Sequence, residues 1–600
     1  MYLQTFPLSF LFSFVAGIFS LPALGIAESE PNFEDRPNVI VFLSDDQGYG
    51  DFSYTGNRDL NTPNIDGLAR DGAFVGQFFV CPVCSPTRAE FLTGRYHPRG
   101  GVFSTGAGGE RLDLDESTIA QAFQAAGYAT AAFGKWHNGM QAPYHPNSRG
   151  FDEYYGFCSG HWGNYFDPIL DHNGQIVRGK GFIIDDFTDH AIEFIEDHQT
   201  KPFFIYLPYN TPHSPMQVPD KYWNKFKEKQ LTQMPNSGKT KNGKGTDHAR
   251  AALAMCENID YNVGRVLEKL DELKLADNTI VLYFCDNGPN GARYNAGLKG
   301  RKGSTDEGGV RSPLFVRWPG VIPAGNKVNL VTGAIDLWPT LTSLCGIPLH
   351  DQPDHPLDGI SFDLELRGAK VKRKPRYLFN AWRGKVSVRT PQHRLDNKGV
   401  LYDVMNDPGQ QTPVSDRPKI KQELQAAVDN WKSTVLAELE EKQRVFPVGH
   451  PSMKTTQLPA RDAEVTGAIK RSNKFPNCSY FGNWVNRDDT ISWPVEVMQS
   501  GKYRAEVYYC LAKDNVGVEL QLSMDAHRIN KVVNEANDPP ALGAENGRSV
   551  RGESLVKDFK ALDMGVIELD QGVGRIELQT VEMPGKESIE FRLLMLTRIE

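Results

Sequence analysis

The sequence predicts an α/β protein followed by an all-β domain. Three observations carry this. Between residues 37 and 369, continuous apolar runs alternate with stretches of helical period. From 370 to 439 the runs shorten and turn residues crowd in, as in a small antiparallel sheet. From 462 to 600, apolar and polar residues alternate, which is the period of half-buried strands and suits a β-sandwich. Unbroken apolar strands separated by helices are buried on both faces, so the first region reads as a largely parallel sheet clad in helices.

The chain has 600 residues, enough for two or three domains. It is 40% hydrophobic and 23% charged, a globular balance. Its 66 Lys plus Arg against 74 Asp plus Glu give a net charge of −8, which argues against nucleic acid or an anionic membrane as a partner. Residues 1–27 read as a cleaved secretory signal: an apolar core over 8–24, then Gly25 and Ala27 before Glu28. The signal lacks an initial basic residue, and an uncleaved anchor is the alternative; Pro7, Pro22, Gly17 and Gly25 favour cleavage. Export to the periplasm or beyond is expected. No later stretch is apolar and long enough to span a bilayer.

The apolar runs of the first region lie at 38–46, 129–137, 202–213 and 279–288, with helical stretches at 118–126, 188–198 and 248–273. Each run closes on polar residues: Asp45 and Asp46, then Lys135 and His137, then His213, then Asp286 and Asn287. In open α/β sheets, ligands bind beyond the carboxyl ends of the strands. Four such ends therefore predict one shared crevice. Further on, 385–396 and 400–409 read as short strands, 419–439 as an amphipathic helix, and the polar, Pro-containing stretch 440–461 as a linker. The runs 502–512, 516–524, 564–570 and 573–583 are the strands of the last domain, whose pattern is loosely similar to carbohydrate-binding sandwiches.

There are eight cysteines. Cys81 and Cys84 form a CxxC, but no second CxxC or His pair accompanies it, which disfavours zinc. Cys84 opens CSPTRAEFLTGRY at 84–96. Pro86 suits a first helical turn and Gly94 a helix stop, so Cys84 falls at a helix N-terminus, an end that stabilises negative charge.

This run resembles the signature of the formylglycine-dependent (type I) sulfatases, in which Cys or Ser, any residue, Pro, any residue and Arg mark the side chain that is oxidised. Cys84, Pro86 and Arg88 match the core, and Leu92, Thr93 and Gly94 its continuation; Thr87 stands where many members have Ser. The resemblance covers about 37–439 and implies an alkaline-phosphatase-like mixed sheet sandwiched by helices. It implies an exported sulfuric ester hydrolase whose Cys84 becomes 3-oxoalanine (formylglycine) through a formylglycine-generating enzyme. An aldehyde hydrate has two hydroxyls on one carbon. One can attack sulfur and the other can later expel sulfate, an exit that a plain Ser or Cys lacks.

DDQGYGD at 45–51 resembles the family's first metal segment. Asp45, Asp46, Asp286, Asn287 and the modified Cys84 are the implied ligands. An all-oxygen set selects a hard divalent cation, with Ca²⁺ ahead of Mg²⁺. Asp51 is expected to be structural. GKWHNG at 134–139 resembles the family's GKWHxG, with Asn138 where Leu is common; it makes Lys135 a sulfate contact and His137 the base. His213 in NTPHSP is the implied proton donor to the leaving alcohol. Lys302, counted back from Glu307-Gly308-Gly309 in preference to Lys299, is a further sulfate contact. With Arg88 these make a cationic pocket in an acidic protein.

For the substrate, the Gly-rich run GFCSGHWGNYF at 156–166 offers His161, Trp162 and Asn164 as sugar contacts, with plain packing an equal alternative. A sulfated polysaccharide or glycosaminoglycan is the leading substrate class. Two other readings stay open: a phosphatase or phosphonate monoester hydrolase of the same superfamily, and a noncatalytic glycan-binding protein. No particular oligomer is implied.

Overall fold

A computed structural model describes residues 36–234, 244–348, 355–439 and 444–599; the signal at 1–27 lies outside them. The four apolar runs are the strands Asn38–Ser44, Ala129–Lys135, Phe203–Pro208 and Thr279–Cys285, and every residue in them is buried. They lie side by side and parallel at the middle of the sheet. Asn38–Ser44 pairs with Phe203–Pro208 on one side and with Thr279–Cys285 on the other, and Ala129–Lys135 pairs with Phe203–Pro208. All four carboxyl ends therefore open on one edge of the sheet.

Among the described residues this sheet has eleven strands, and it is mixed. Arg311–Arg317 runs antiparallel between Thr279–Cys285 and Ala73–Phe79, and the hairpin Ile169–His172 and Gln175–Arg178 is antiparallel at the far edge. The largely parallel expectation holds at the centre and again where Ala73–Phe79 pairs with Asn326–Val328 and Thr332–Gly333, and fails at Arg311–Arg317 and the far hairpin. Strand direction leaves no trace in a run that is apolar on both faces. Side chains alternate between two cores: Val39, Val41 and Leu43 pack with Phe91, Phe123 and Trp338, while Ile40 and Phe42 pack with Ile65, Phe187 and Ile259.

The helix Ile119–Ala125 starts at a capping box of Thr118 and Gln121. The helix expected over 188–198 begins at Ile183, because Ile183, Ile184 and Phe187 extend its buried face. The stretch 248–273 matches the long helix Lys244–Glu272 to within one residue at its end. The strands Leu378–Trp382, Lys385–Arg389, His393–Leu395 and Leu401–Asp403 form an antiparallel meander. The helix Pro418–Thr434 covers it with Leu424, Val428 and Trp431.

Among the described residues the last domain has two six-stranded sheets around Trp484, Trp493, Val507, Leu522 and Phe591. The stretch 440–461 is not a linker throughout. Phe446–Val448 joins Thr490–Val497 in one sheet, and Thr455–Pro459 joins Glu590–Arg598 in the other. Its prolines and polar residues disguise its contributions to the core, Phe446, Val448, Leu458 and Ala460. Among the described residues, no helix is long and apolar enough to cross a membrane.

Candidate active site

Cys84 is the first residue of the helix Cys84–Thr93, all of whose residues are buried. Val83 enters in extended conformation, and Gly94 ends the helix at φ 67°, a left-handed cap that favours glycine. Thr87 fastens this helix to the end of a central strand. Its Oγ1 donates to the Asp286 carbonyl at 2.6 Å and accepts from the Cys81 amide at 2.8 Å. The Cys84 Sγ and carboxylate oxygens of Asp45 and Asp286 lie within 4.8 Å of one another. All eight cysteines are buried and free, Cys81 and Cys84 included.

Two of the strand ends turn through left-handed residues, Asp46 at φ 63° and His137 at φ 66°. Each costs about 1–3 kcal/mol, a strain that persists where the surroundings over-determine it. Arg88 supplies part of that constraint. Its Nη2 lies 3.2 Å from Asp45 Oδ2 and 3.1 Å from Asp286 Oδ2, and its Nη1 donates to the Lys135 carbonyl at 2.6 Å. Arg293 supplies more, donating to the Asp46 carbonyl at 2.5 Å and pairing with Asp51 at 2.7 Å. Asp51 also accepts from the Gly48 amide at 2.8 Å, so it braces the turn, as expected for a structural residue.

The sequence-predicted groups converge. Lys135 Nζ pairs with Asp45 Oδ2, and Lys302 Nζ lies 2.5 Å from Asp46 Oδ1. Asn287 donates to Asp46 Oδ1 at 2.8 Å, and His213 Nε2 stands 3.7 Å from Asp46 Oδ2. Lys299 turns away onto the Tyr402 ring, which leaves Lys302 as the lysine of this segment in the site. His137 Nε2 is 3.1 Å from the Thr105 carbonyl, while its Nδ1 has no partner among the described residues. A carbonyl only accepts, so Nε2 carries the proton and Nδ1 is the free base.

Charge balance follows from burial and neighbours. Burial alone would raise Asp45, but Lys135, His213, Arg88 and Lys302 hold it well below the carboxylate range. Asp46 is lowered too: burial opposes, and Lys302 and His213 prevail. Asp286 is pushed up to about 7, by burial and then by the charge on Asp45. Burial raises the Cys84 thiol despite Lys135 and Lys302, so it is no ready thiolate. His137 falls well below its usual value through burial, Lys135 and Arg88, and His213 is lowered by burial and Lys302.

Among the described residues, three buried oxygens of the expected metal ligands have no hydrogen-bond partner: Asp45 Oδ1, Asp46 Oδ2 and Asn287 Oδ1. Buried acceptors are normally satisfied. Orphans on neighbouring residues, all oxygen, fit a hard divalent cation.

The three substrate candidates separate. His161 reaches the site, its ring stacked 6.0 Å from that of His213. Trp162 stacks on Phe157 at 5.1 Å and lies under Arg592 of the sandwich, so its area goes into the domain interface. The Asn164 amide donates to the Phe166 carbonyl at 2.6 Å and accepts from Gln217 at 3.1 Å, which commits it to its loop. Both belong to the packing alternative. The sequence does not anticipate Thr105 or Arg293, and it marks Thr87 only as a signature position. Arg293 and its partner Asp51 lie 242 residues apart, a pairing with no local signal.

A mixed α/β sheet with carboxylates, lysines and histidines gathered at the carboxyl ends of its central strands defines a hydrolase of the alkaline phosphatase superfamily. The sulfatase family model matches residues 37–347, and the chain belongs to that family. The N-acetylgalactosamine-6-sulfatase of Canis lupus familiaris is 29% identical over 381 residues, 57% of this chain and 68% of that one. Arylsulfatase G of Rattus norvegicus is 31% identical over 401 residues, 58% and 71% of the two chains. The crystal structure of Ps i-CgsB in complex with k-i-k-neocarrahexaose is 30% identical with a TM-score of 0.60, covering 68% of this chain and 95% of that one. The protein is a sulfuric ester hydrolase, and the phosphatase and noncatalytic readings give way.

Proposed function

We propose that Cys84 is matured to formylglycine and that the enzyme, exported by its N-terminal segment, removes sulfate from a sulfated polysaccharide or glycosaminoglycan. The observation that carries this is Cys84, at the start of a buried helix, meeting Asp45 and Asp286 beside three unpartnered buried oxygens. As the hydrate of an aldehyde, residue 84 supplies one hydroxyl to attack sulfur and a second through which sulfate is released. Asp45, Asp46, Asp286, Asn287 and residue 84 would hold a divalent cation, Ca²⁺ ahead of Mg²⁺, which when bound neutralises charge and acidifies a hydroxyl.

The chain's own groups do the rest. Arg88 locks Asp45 and Asp286 together, and Lys135 and Lys302 offer ammonium groups to the sulfate oxygens. His213 binds sulfate too. Its Nδ1 lies 2.6 Å from the Ser214 carbonyl and donates to it, which leaves Nε2 to carry the transferable proton. A sulfate anion alongside favours protonated imidazole, so substrate binding arms His213 as the acid for the leaving alcohol. His137, held neutral with Nδ1 free, accepts the proton of the remaining hydroxyl. A sugar substrate is supported by His161 beside His213 and by the sugars named for two of the similar proteins.

Mass spectrometry of the tryptic peptide 71–88 from the native host tests the nucleophile. The expected result is a mass deficit for thiol replaced by aldehyde, localised to Cys84 and not Cys81. An intact thiol or a Cys81–Cys84 disulfide throughout the sample removes the mechanism.

A further inference from the structure

We infer that the C-terminal β-sandwich is a wall of the active site, in which Glu553 positions the loop bearing His213 and Asn477 positions the ring of His161. The inference rests on His213 being the acid for the leaving alcohol. These sandwich residues lie well past the family match, which ends at residue 347.

The segment after His213 is held from the sandwich side. Ser214 Oγ donates to Glu553 Oε1, and Gln217 Nε2 donates to the Gly543 carbonyl at 3.0 Å. The Arg548 amide donates to the Met216 carbonyl at 2.8 Å, and its guanidinium donates to the Val218 carbonyl at 2.8 Å and to Asp220 at 2.6 Å. A segment gripped at Ser214, Met216, Gln217 and Val218 keeps the orientation of the residue just before it. Glu553 holds the residue next to His213, so it sets where the proton donor points.

The second hold is on His161. Its Nδ1 lies 3.3 Å from Asn477 Nδ2, and Asn477 Oδ1 accepts from Arg461 Nη1 at 3.1 Å. The arginine fixes the amide, because a guanidinium only donates. Asn477 Nδ2 therefore donates to His161 Nδ1, and the His161 proton is on Nε2. Nε2 has no partner among the described residues, although the residue is only 7% exposed and its ring faces that of His213. A buried N–H without an acceptor beside the catalytic acid is a donor reserved for the substrate. Gly160 shows how close the wall comes. A Cβ there would lie 2.5 Å from His137 Nε2 and 2.6 Å from Asn477 Nδ2, so base and sandwich flank a single glycine.

The test compares kcat and KM across aryl sulfates from para-nitrophenyl to phenyl sulfate, whose leaving group is far more basic. Proton donation matters more as the leaving group becomes more basic, and a positioned acid contributes about 10²–10⁴-fold. Glu553→Ala is expected to lose at least about tenfold more kcat on phenyl than on para-nitrophenyl sulfate. Glu553→Gln, which keeps an acceptor for Ser214, is expected to recover most of it. Asn477→Leu is expected to raise KM roughly tenfold, the worth of one hydrogen bond, with a smaller change in kcat. Thermal unfolding of each variant identifies any that fail to fold. Equal proportional losses across the series in Glu553→Ala, or parental kinetics in both variants, overturn the inference. His213→Ala separates the two readings. A parental leaving-group slope there overturns the acid assignment, and Asn477→Leu then decides the wall alone.

Discussion

Each charged side chain at the site is opposed by a neighbour, and the residual imbalance marks what is expected to bind. Lys135 and Lys302 rest on Asp45 and Asp46, yet Asp45 Oδ1, Asp46 Oδ2 and Asn287 Oδ1 remain unsatisfied. Ca²⁺ at a hundred times its Kd is expected to stabilise the fold by about 2.7 kcal/mol, read as a raised Tm after chelator treatment and readdition. Asp46→Asn should blunt that rise, and a Tm indifferent to both Ca²⁺ and Mg²⁺ would count against the cation. A second imbalance lies one helical face away. Burial pushes Glu90 up to about 8, despite hydrogen bonds from Cys81 and the His97 amide. A carboxyl raised on folding keeps its proton in the native state while the unfolded chain loses it. Its cost is absent below the unfolded pKa, near 4.5, and grows as pH rises towards 8. Glu90→Gln is therefore expected to stabilise by roughly 3 kcal/mol at pH 7 and by almost nothing at pH 4, measured by denaturant titration at both pH values.

The Cys84–Thr93 helix shows what a sequence can and cannot disclose about an element. Pro86 and Gly94 mark its ends, and the structure places it within a residue of that reading. Asp45, Lys135, His213 and Asp286 were equally legible, because parallel strands buried on both faces need unbroken apolar runs and the polar residues that close each run are conspicuous. Trp162 was not, since an aromatic beside glycines serves packing and sugar stacking alike, and only the nearness of Phe157 and Arg592 decides. Glu553 and Asn477 left no signal at all. They meet Ser214 and His161 across 339 and 316 residues, distances over which no periodicity survives. The helix stop carries its own prediction. A Cβ at Gly94 would lie 3.0 Å from Trp338 and 3.1 Å from Leu357, in a left-handed conformation. Gly94→Ala is expected to cost about 2 kcal/mol, seen as a lower denaturant midpoint at unchanged slope. A neutral result would mean that the turn relaxes freely and does not fix the helix that carries Cys84.

At the scale of the molecule, the sandwich and the α/β domain share a buried ionic joint. Arg461 of the sandwich pairs with Glu110 of the α/β domain at 2.8 Å, with its side chain 2% exposed and that of Glu110 1%. The same guanidinium holds Asn477 and pairs with Asp462 at 3.1 Å. A buried pair is weak evidence for net stability, because desolvation offsets much of its attraction, but removing one partner strands the other charge at a cost of about 3–5 kcal/mol. Two domains merely tethered would unfold independently, and a substitution in the joint would leave both transitions where they were. Two domains coupled through Arg461 and Glu110 unfold together. Calorimetry of the parent should then give one transition, and Arg461→Ala should split it or lower it by the equivalent of that cost. Glu110→Gln, which keeps an acceptor for the guanidinium, should do so less. If the parent already shows two separate transitions and Arg461→Ala moves neither, the sandwich is an appendage, and the wall that it presents to His161 and His213 has no thermodynamic support.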